Sequence, residues 1–322
     1  MNLDASAIEQ KYADQLRILD AHVYQLQQRI HQWRMPTYAR QSYLRSIQRR
    51  YMAQKASIQQ RKMSELQRLH QQYSKASNRR KQACLVGINY EGSDYALRGC
   101  INDVKKLHQL LVSQYGYHPS DVRTVLNQQA TRKTILREFT QLVANAVAGD
   151  TIFFSFSGHG YHMPDRDYDE ADGRDELIVT ADFQPIVDDE LRAIVQTYLR
   201  SGVKLFALFD NCHSGTIFDL RYQYVSNTSS LKVDEIYKDS PSQVICLSGC
   251  MDAQVSMDAY LGNQFNGALT WALVDLLSSE KGLTWKACLE KIRAKLGERN
   301  FEQIPQLSCG IAMDLEKETV SL

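Results

Sequence analysis

The sequence predicts an α/β chain: a mostly parallel sheet flanked by helices on both faces, preceded by an α-helical hairpin or coiled-coil-like segment. Three observations predict it. Residues 1–81 hold no glycine and one proline, and carry an apolar seam at helical spacing. From Gln82 onward, short apolar runs of strand length alternate with amphipathic stretches, the pattern of strand–helix–strand units. Two of those runs, Thr151-Ile-Phe-Phe-Ser-Phe and Lys204-Leu-Phe-Ala-Leu-Phe, have the aliphatic and aromatic content of strands buried on both faces.

In the first segment (residues 1–81) Ile8, Tyr12, Leu16, Leu19, Val23, Leu26, Ile30 and Trp33 recur at intervals of three and four, close to a heptad. Met35-Pro36-Thr37 breaks the seam, because proline disfavours helix in the residue before it. A second stretch carries Leu44, Ile47, Tyr51, Ile58, Leu66, Leu69 and Tyr73, so two antiparallel helices are the simplest arrangement. The seam packs the hairpin to itself or to the body, or else supports self-association; the sequence leaves both open. In the second segment (residues 82–322) a strand at 83–88 precedes a helix with Val104, Leu107 and Leu111. A short strand at 122–126 and a helix capped at Thr131, with Ile135, Phe139 and Leu142 on one face, lead to the first long apolar run. A helix opening at Asp188-Asp189 and stopped by Gly202 precedes the second run. A strand at 243–247, helices around 268–277 and 285–296, and a last strand near 309–313 complete the pattern.

With 322 residues and 43% hydrophobic content, the chain can hold one substantial core plus an appendage. Its net charge of +1 hides an asymmetry: residues 1–81 hold 16 Lys/Arg against 5 Asp/Glu, leaving 22 against 32 downstream. Segments so divided have different partners or attract one another. Nucleic acid or an anionic membrane is disfavoured as partner of the basic segment, which brings no stacking motif or fold signature. Seven cysteines, an odd number without CxxC spacing, suit a reducing compartment. The polar start is no secretory signal, and no run of about eighteen apolar residues could cross a membrane. The expectation is a soluble cytoplasmic protein.

The two apolar runs end in Ser157-Gly158-His159-Gly160 and Asp210-Asn211-Cys212-His213-Ser214-Gly215. If these strands are parallel neighbours, an imidazole and a thiol meet at their carboxyl ends, where open α/β sheets place their ligands. A Cys–His pair there is the minimum equipment for nucleophilic acyl transfer, with Cys212 attacking a carbonyl and His159 handling the protons. The backbone N–H groups of Gly160 and Cys212 are the candidate oxyanion donors. Asp210 lies two residues before Cys212 and, on an extended chain, faces the same side, where it attracts a cationic side chain. Asp103 reads from the residues alone either as a helix cap after Asn102 or as a second carboxylate at this site.

These boxes resemble those of the metacaspases, the caspase-like cysteine peptidases found outside animals. The resemblance rests on Ser157–Gly160, on Asp210–Gly215, on Ala96-Leu-Arg-Gly-Cys-Ile-Asn-Asp-Val104, and on Val244–Gln254 followed by Phe265-Asn-Gly-Ala-Leu-Thr-Trp271. It covers residues 82 to about 315 and is closest to the type I arrangement, with a large-subunit part at about 82–225 and a small-subunit part at about 240–322. It departs at the front, where a charged helical segment stands in place of a Pro/Gln-rich or zinc-finger one. It implies a caspase-like fold, a Cys212–His159 dyad, and an acidic S1 pocket of Asp103 and Asp210 lined by Cys100 and Ser157. Cleavage after Arg or Lys in protein or peptide substrates follows.

The stretch 165–176 packs seven carboxylates into twelve residues. It fails the EF-hand pattern, because Glu170 stands where the sharp-turn glycine belongs, so a solvated acidic loop is its plain reading. The resemblance implies instead that Asp172, Asp188, Asp189 and Asp219 bind Ca²⁺, hard oxygen ligands from loops at one sheet end. The expectation is a calcium-activated, self-processing endopeptidase. Its basic front segment would dock on the acidic body as a zymogen cover until a cut within Arg79-Arg80-Lys81 releases it, or one at Arg221, Lys232 or Lys238 opens the loop after Cys212. The rival is an interaction protein in which the hairpin recruits partners and the body is a scaffold.

Overall fold

The computed structural model describes residues 2–32, 36–74, 79–164, 174–211, 217–218, 220–224, 231–233, 240–249, 258–261, 264–301 and 303–322. They fall into two compact units, Met1–Ser77 and Asn78–Leu322. The first is a helical hairpin of α1 (Asn2–Gln32) and α2 (Thr37–Ser74), broken at Pro36 as proline chemistry dictates. Tyr12, Ile30, Ile47 and Ile58 are buried in its seam, and Leu16, Leu19, Val23 and Leu26 are half-buried. Ion pairs Lys11–Glu65 and Lys62–Glu9 tie the two helices together, with a Tyr51–Asp20 hydrogen bond beside them.

The second unit begins with β1 (Lys81–Gly87), α3 (Cys100–Gln114), β2 (Val122–Leu126), α4 (Arg132–Asn145) and β3 (Thr151–Ser157). Next come β4 (Gly160–Pro164), β5 (Arg174–Val179), β6 (Pro185–Val187), α5 (Asp188–Tyr198) and β7 (Lys204–Asp210). Then follow β8 (Tyr222–Tyr224), β9 (Leu231–Val233), β10 (Gln243–Ser248), β11 (Asp258–Leu261), β12 (Gln264–Gly267), α6 (Ala268–Ser279), α7 (Trp285–Gly297) and β13 (Gln306–Cys309). Among the described residues the main sheet has the order β2-β1-β3-β7-β10-β13-β8-β9. The first five strands are parallel and the last three pairings antiparallel. A small sheet of β4, β5 and β6 and the β11–β12 hairpin stand apart from it.

The strand period of two explains why both apolar runs are apolar throughout. Phe153, Phe206 and Leu208 point into a core shared with α3, α6 and α7. Phe154, Phe156, Ala207 and Phe209 point the other way, into a core shared with α4 and α5. Thr131 caps α4 by accepting the Thr134 N–H, and Thr284 caps α7 by accepting the Ala287 N–H.

Two expectations need correction. The final strand is β13 at Gln306–Cys309, ahead of the expected 309–313, because Leu307 and Cys309 fill the core while Met313 is buried beyond the strand. The acidic stretch is not wholly a solvated loop: Asp175 and Glu176 belong to β5 and are buried, carried inward by the Leu-Ile-Val run that follows them. The rest of that stretch, residues 165–173, lies outside the described residues. Among the described residues no helix is long and apolar enough to cross a membrane.

Candidate active site

The strands carrying the His and Cys boxes lie side by side and parallel, with Ser157 opposite Asp210 and Gly87 opposite Ser157. β3 and β7 therefore end at the same level; His159 follows the first, and Cys212 lies outside the described residues. The turn after β3 is tight. A Cβ at Gly158 would lie 2.7 Å from the Tyr90 hydroxyl and 2.8 Å from the Phe156 ring, so only glycine lets the chain pass here.

His159 is held on three sides. Its backbone N–H donates to Tyr90 Oη (2.9 Å), and that hydroxyl donates to the Val179 carbonyl (2.6 Å). The imidazole lies 4.7 Å from the Tyr90 ring. Burial pushes the Tyr90 phenol far above its ordinary range, so it stays a neutral O–H. The third contact decides the tautomer: Nε2 is 2.7 Å from the Tyr95 carbonyl, which only accepts, so Nε2 carries the hydrogen. A neutral imidazole fixed this way keeps its lone pair on Nδ1, the nitrogen left for proton transfer. Gly160, the candidate oxyanion donor, opens β4 opposite Ile178.

Three of the expected pocket residues, Asp103, Asp210 and Ser157, come together. Asp103 sits in the first turn of α3 and does not cap it; the N-cap is Gly99. Its carboxylate reaches across to accept from Ser157 Oγ (2.7 Å) and from the Gly267 N–H (3.0 Å to each oxygen). Asp210, the last residue of β7, accepts the Thr270 N–H at 2.7 Å and so caps α6 from another element, with the helix dipole favouring its negative charge. The two carboxylates flank Gly267 and are shielded from solvent, at 0% and 4% exposure. Ser157 is buried at the end of β3, and Cys100, the fourth expected pocket residue, is buried at the start of α3, three residues before Asp103.

Of the expected metal ligands, Asp172 and Asp219 lie outside the described residues. Asp188 and Asp189 open α5, and Asp188 is buried, accepting the backbone N–H groups of Glu176 (2.9 Å) and Asp189 (2.8 Å). Asp189 has Arg192 at 3.9 Å. Carboxylate oxygens keep lone pairs beyond one hydrogen bond each, and this all-oxygen donor set has the chemistry a hard cation needs. Among the described residues no three His, Cys, Asp or Glu side chains converge as a metal site.

Tyr90, Tyr95 and Gly267 were not found from sequence. Tyr95 acts through a backbone atom, which has no side-chain signature. Gly267 could have been found from its place just ahead of an apolar helix, where glycine is an ordinary N-cap.

A family model described as metacaspase, peptidase C14 domain, matches residues 81–221. Metacaspase-1 of Kluyveromyces lactis is 37% identical over 301 residues, spanning 76% of this chain and 69% of the relative. The chain belongs to the metacaspases. Metacaspase-1A of Aspergillus fumigatus is 36% identical over 297 residues, covering 76% of this chain and 71% of its own length. Among solved structures, protein GSU0716 from Geobacter sulfurreducens superposes with a TM-score of 0.55 at 25% identity, covering 74% of this chain and 97% of that one. This metacaspase is thus a cysteine peptidase, a hydrolase built on a mostly parallel sheet flanked by helices and preceded in the chain by a helical segment.

Proposed function

We propose that this metacaspase is a calcium-activated endopeptidase that cleaves after Arg or Lys through a Cys212–His159 dyad and processes itself. The observation that carries the reading is the buried acid pair Asp103–Asp210 at the sheet end where His159 stands.

Nδ1 of His159 takes the Cys212 thiol proton, and the thiolate attacks the carbonyl of the residue ahead of the scissile bond. The imidazolium that forms is stabilised by its Nε2–H bond to the Tyr95 carbonyl, since a charged donor strengthens the bond. N–H groups of Gly160 and Cys212 hold the tetrahedral oxyanion, each worth about 3 kcal/mol. His159 then protonates the leaving amine, and water releases the acyl group. The substrate's guanidinium or ammonium pairs with Asp103 and Asp210, which the Gly267 and Thr270 N–H groups hold in place, with Cys100 and Ser157 lining the pocket. Asp172, Asp188, Asp189 and Asp219 would hold Ca²⁺, which when bound supplies a cross-link between acidic loops. Arg79-Arg80-Lys81, Arg221, Lys232 and Lys238 are the basic residues offered for self-cleavage, the first group freeing the basic hairpin.

The test is turnover of peptides ending in Arg, Lys or Asp, in Ca²⁺ or EGTA, by wild type and Cys212→Ala. Arg and Lys peptides are cleaved only by wild type with Ca²⁺, at about sub-millimolar to millimolar levels. Equal turnover of Asp and Arg peptides, or full activity in EGTA, refutes the corresponding part.

A further inference from the structure

Beside His159 the structure carries an aromatic group that the chemistry above does not use. The rings of Tyr90 and Tyr95 lie against the imidazole and Phe183 packs on both, with Tyr95 at 6.4 Å from His159, Phe183 at 5.9 Å from Tyr90 and Tyr95 at 6.5 Å from Phe183. Tyr90 is buried, but Tyr95 and Phe183 show 66% and 51% of their surface to solvent.

Phe183 is doubly out of place. It occupies the turn between β5 and β6 with φ +54°, a left-handed backbone that suits glycine or asparagine and strains a bulky side chain. The turn is firmly built: the Phe183 N–H donates to Thr180 O (2.9 Å), Thr180 Oγ1 donates to Gln184 O (2.7 Å), and Asp182 accepts the Arg132 N–H (2.9 Å). An exposed ring is thus presented at a fixed point in a conformation its own backbone resists. Strain that the surroundings over-determine in this way gathers at sites that bind or react.

The direction of proton transfer says what could meet that ring. His159 gives its proton to the amine of the residue after the scissile bond, so that residue leaves alongside the imidazole, and the exposed rings next to the imidazole are Tyr95 and, through Tyr90 and Tyr95, Phe183. We propose that Tyr95 and Phe183 form the subsite for this residue (P1′), and that it takes apolar and aromatic side chains and disfavours acidic ones. The inference rests on the reading of His159 as the proton carrier.

Internally quenched peptides with one Arg at P1 and Gly, Ser, Leu, Phe or Asp at P1′ test it on the full chain in Ca²⁺. Wild type turns over the Leu and Phe peptides about tenfold better in kcat/KM than the Gly peptide, the scale one apolar side chain contributes in a pocket. Phe183→Ser flattens the series, removing the Leu and Phe advantage over Gly, and Phe183→Tyr keeps the preference. Thermal unfolding shows Phe183→Ser folded. A flat series in active wild type, or an unaltered preference in folded Phe183→Ser, overturns the subsite alone. Failure of wild type to cleave any peptide, or undiminished cleavage by His159→Ala, overturns the proton-carrier reading and the subsite with it.

Discussion

A methyl group added at Gly267 would sit 2.2 Å from Asp210 Oδ2, 2.6 Å from Asp210 Cγ and 2.9 Å from Asp103 Oδ2. The backbone there, φ −66° and ψ 135°, suits alanine, so the whole penalty of Gly267→Ala comes from crowding the acid pair. Asp210 cannot step aside freely, because its Oδ2 takes the Thr270 N–H at 2.7 Å, and Asp103 is tied to Gly267 and Ser157. Overpacking a tight site costs about 1–3 kcal/mol. Each hydrogen bond to a charged group that is broken adds about 1.5–3 kcal/mol. A total near 3 kcal/mol lowers the Tm of a unit this size by about 6–12 °C. Calorimetry in a Cys212→Ala background, where self-cleavage is silent, reads that shift. With Cys212 intact, kcat/KM for arginyl peptides falls about 100-fold, the equivalent of 2.7 kcal/mol of lost transition-state pairing. A Gly267→Ala chain with an unmoved Tm and undiminished arginyl turnover would refute the reasoning.

Asp210→Asn keeps an oxygen for the Thr270 N–H, so the fold survives while arginyl and lysyl kcat/KM drop at least about 100-fold, as leaving a buried cation short of a partner costs about 3–5 kcal/mol; unchanged kinetics would reduce Asp210 to a helix cap. Tyr90→Phe removes the acceptor of the His159 N–H and the donor to Val179 O, and the loosened imidazole lowers kcat with KM nearly constant; an equal kcat in steady-state assays contradicts the clamp. Burial pushes the thiols of Cys84 and Cys288 up to about 12, and raises those of Cys246 and Cys309 further, so all four stay protonated at pH 8. Iodoacetamide at that pH, read by mass spectrometry, leaves them unmodified in the native protein, and rapid labelling of any of the four would show that its site opens.

How much of this was legible depended on where each signal resides. The strands β3 and β7 were plain, because seven residues of mixed aliphatic and aromatic content have few other uses, and the parallel order followed from the helices between them. The three-to-five-residue strands β4, β6, β8, β9, β11 and β12 were not, since so short a stretch shows no period that a loop could not imitate. Asp103 left both a cap and a pocket residue open from the residues alone, until its carboxylate was found bonded to Gly267 and Ser157, on other elements. The tautomer of His159 was beyond any sequence argument, because a main-chain carbonyl sets it.

The order of the main sheet has a consequence for a chain that has been cut. Strands β7, β8 and β9 precede the candidate cleavage point at Lys238, and β10 and β13 follow it, yet the later pair sits between the earlier strands: β7, β10, β13, β8, β9. The later portion's β10 and β13 are therefore clasped between β7 and β8 of the earlier one. A nick between them severs a covalent bond without freeing either piece, since separation must strip β10 from β7 and β13 from β8 at once. The nicked molecule travels as one particle and shows its two fragments only in denaturant.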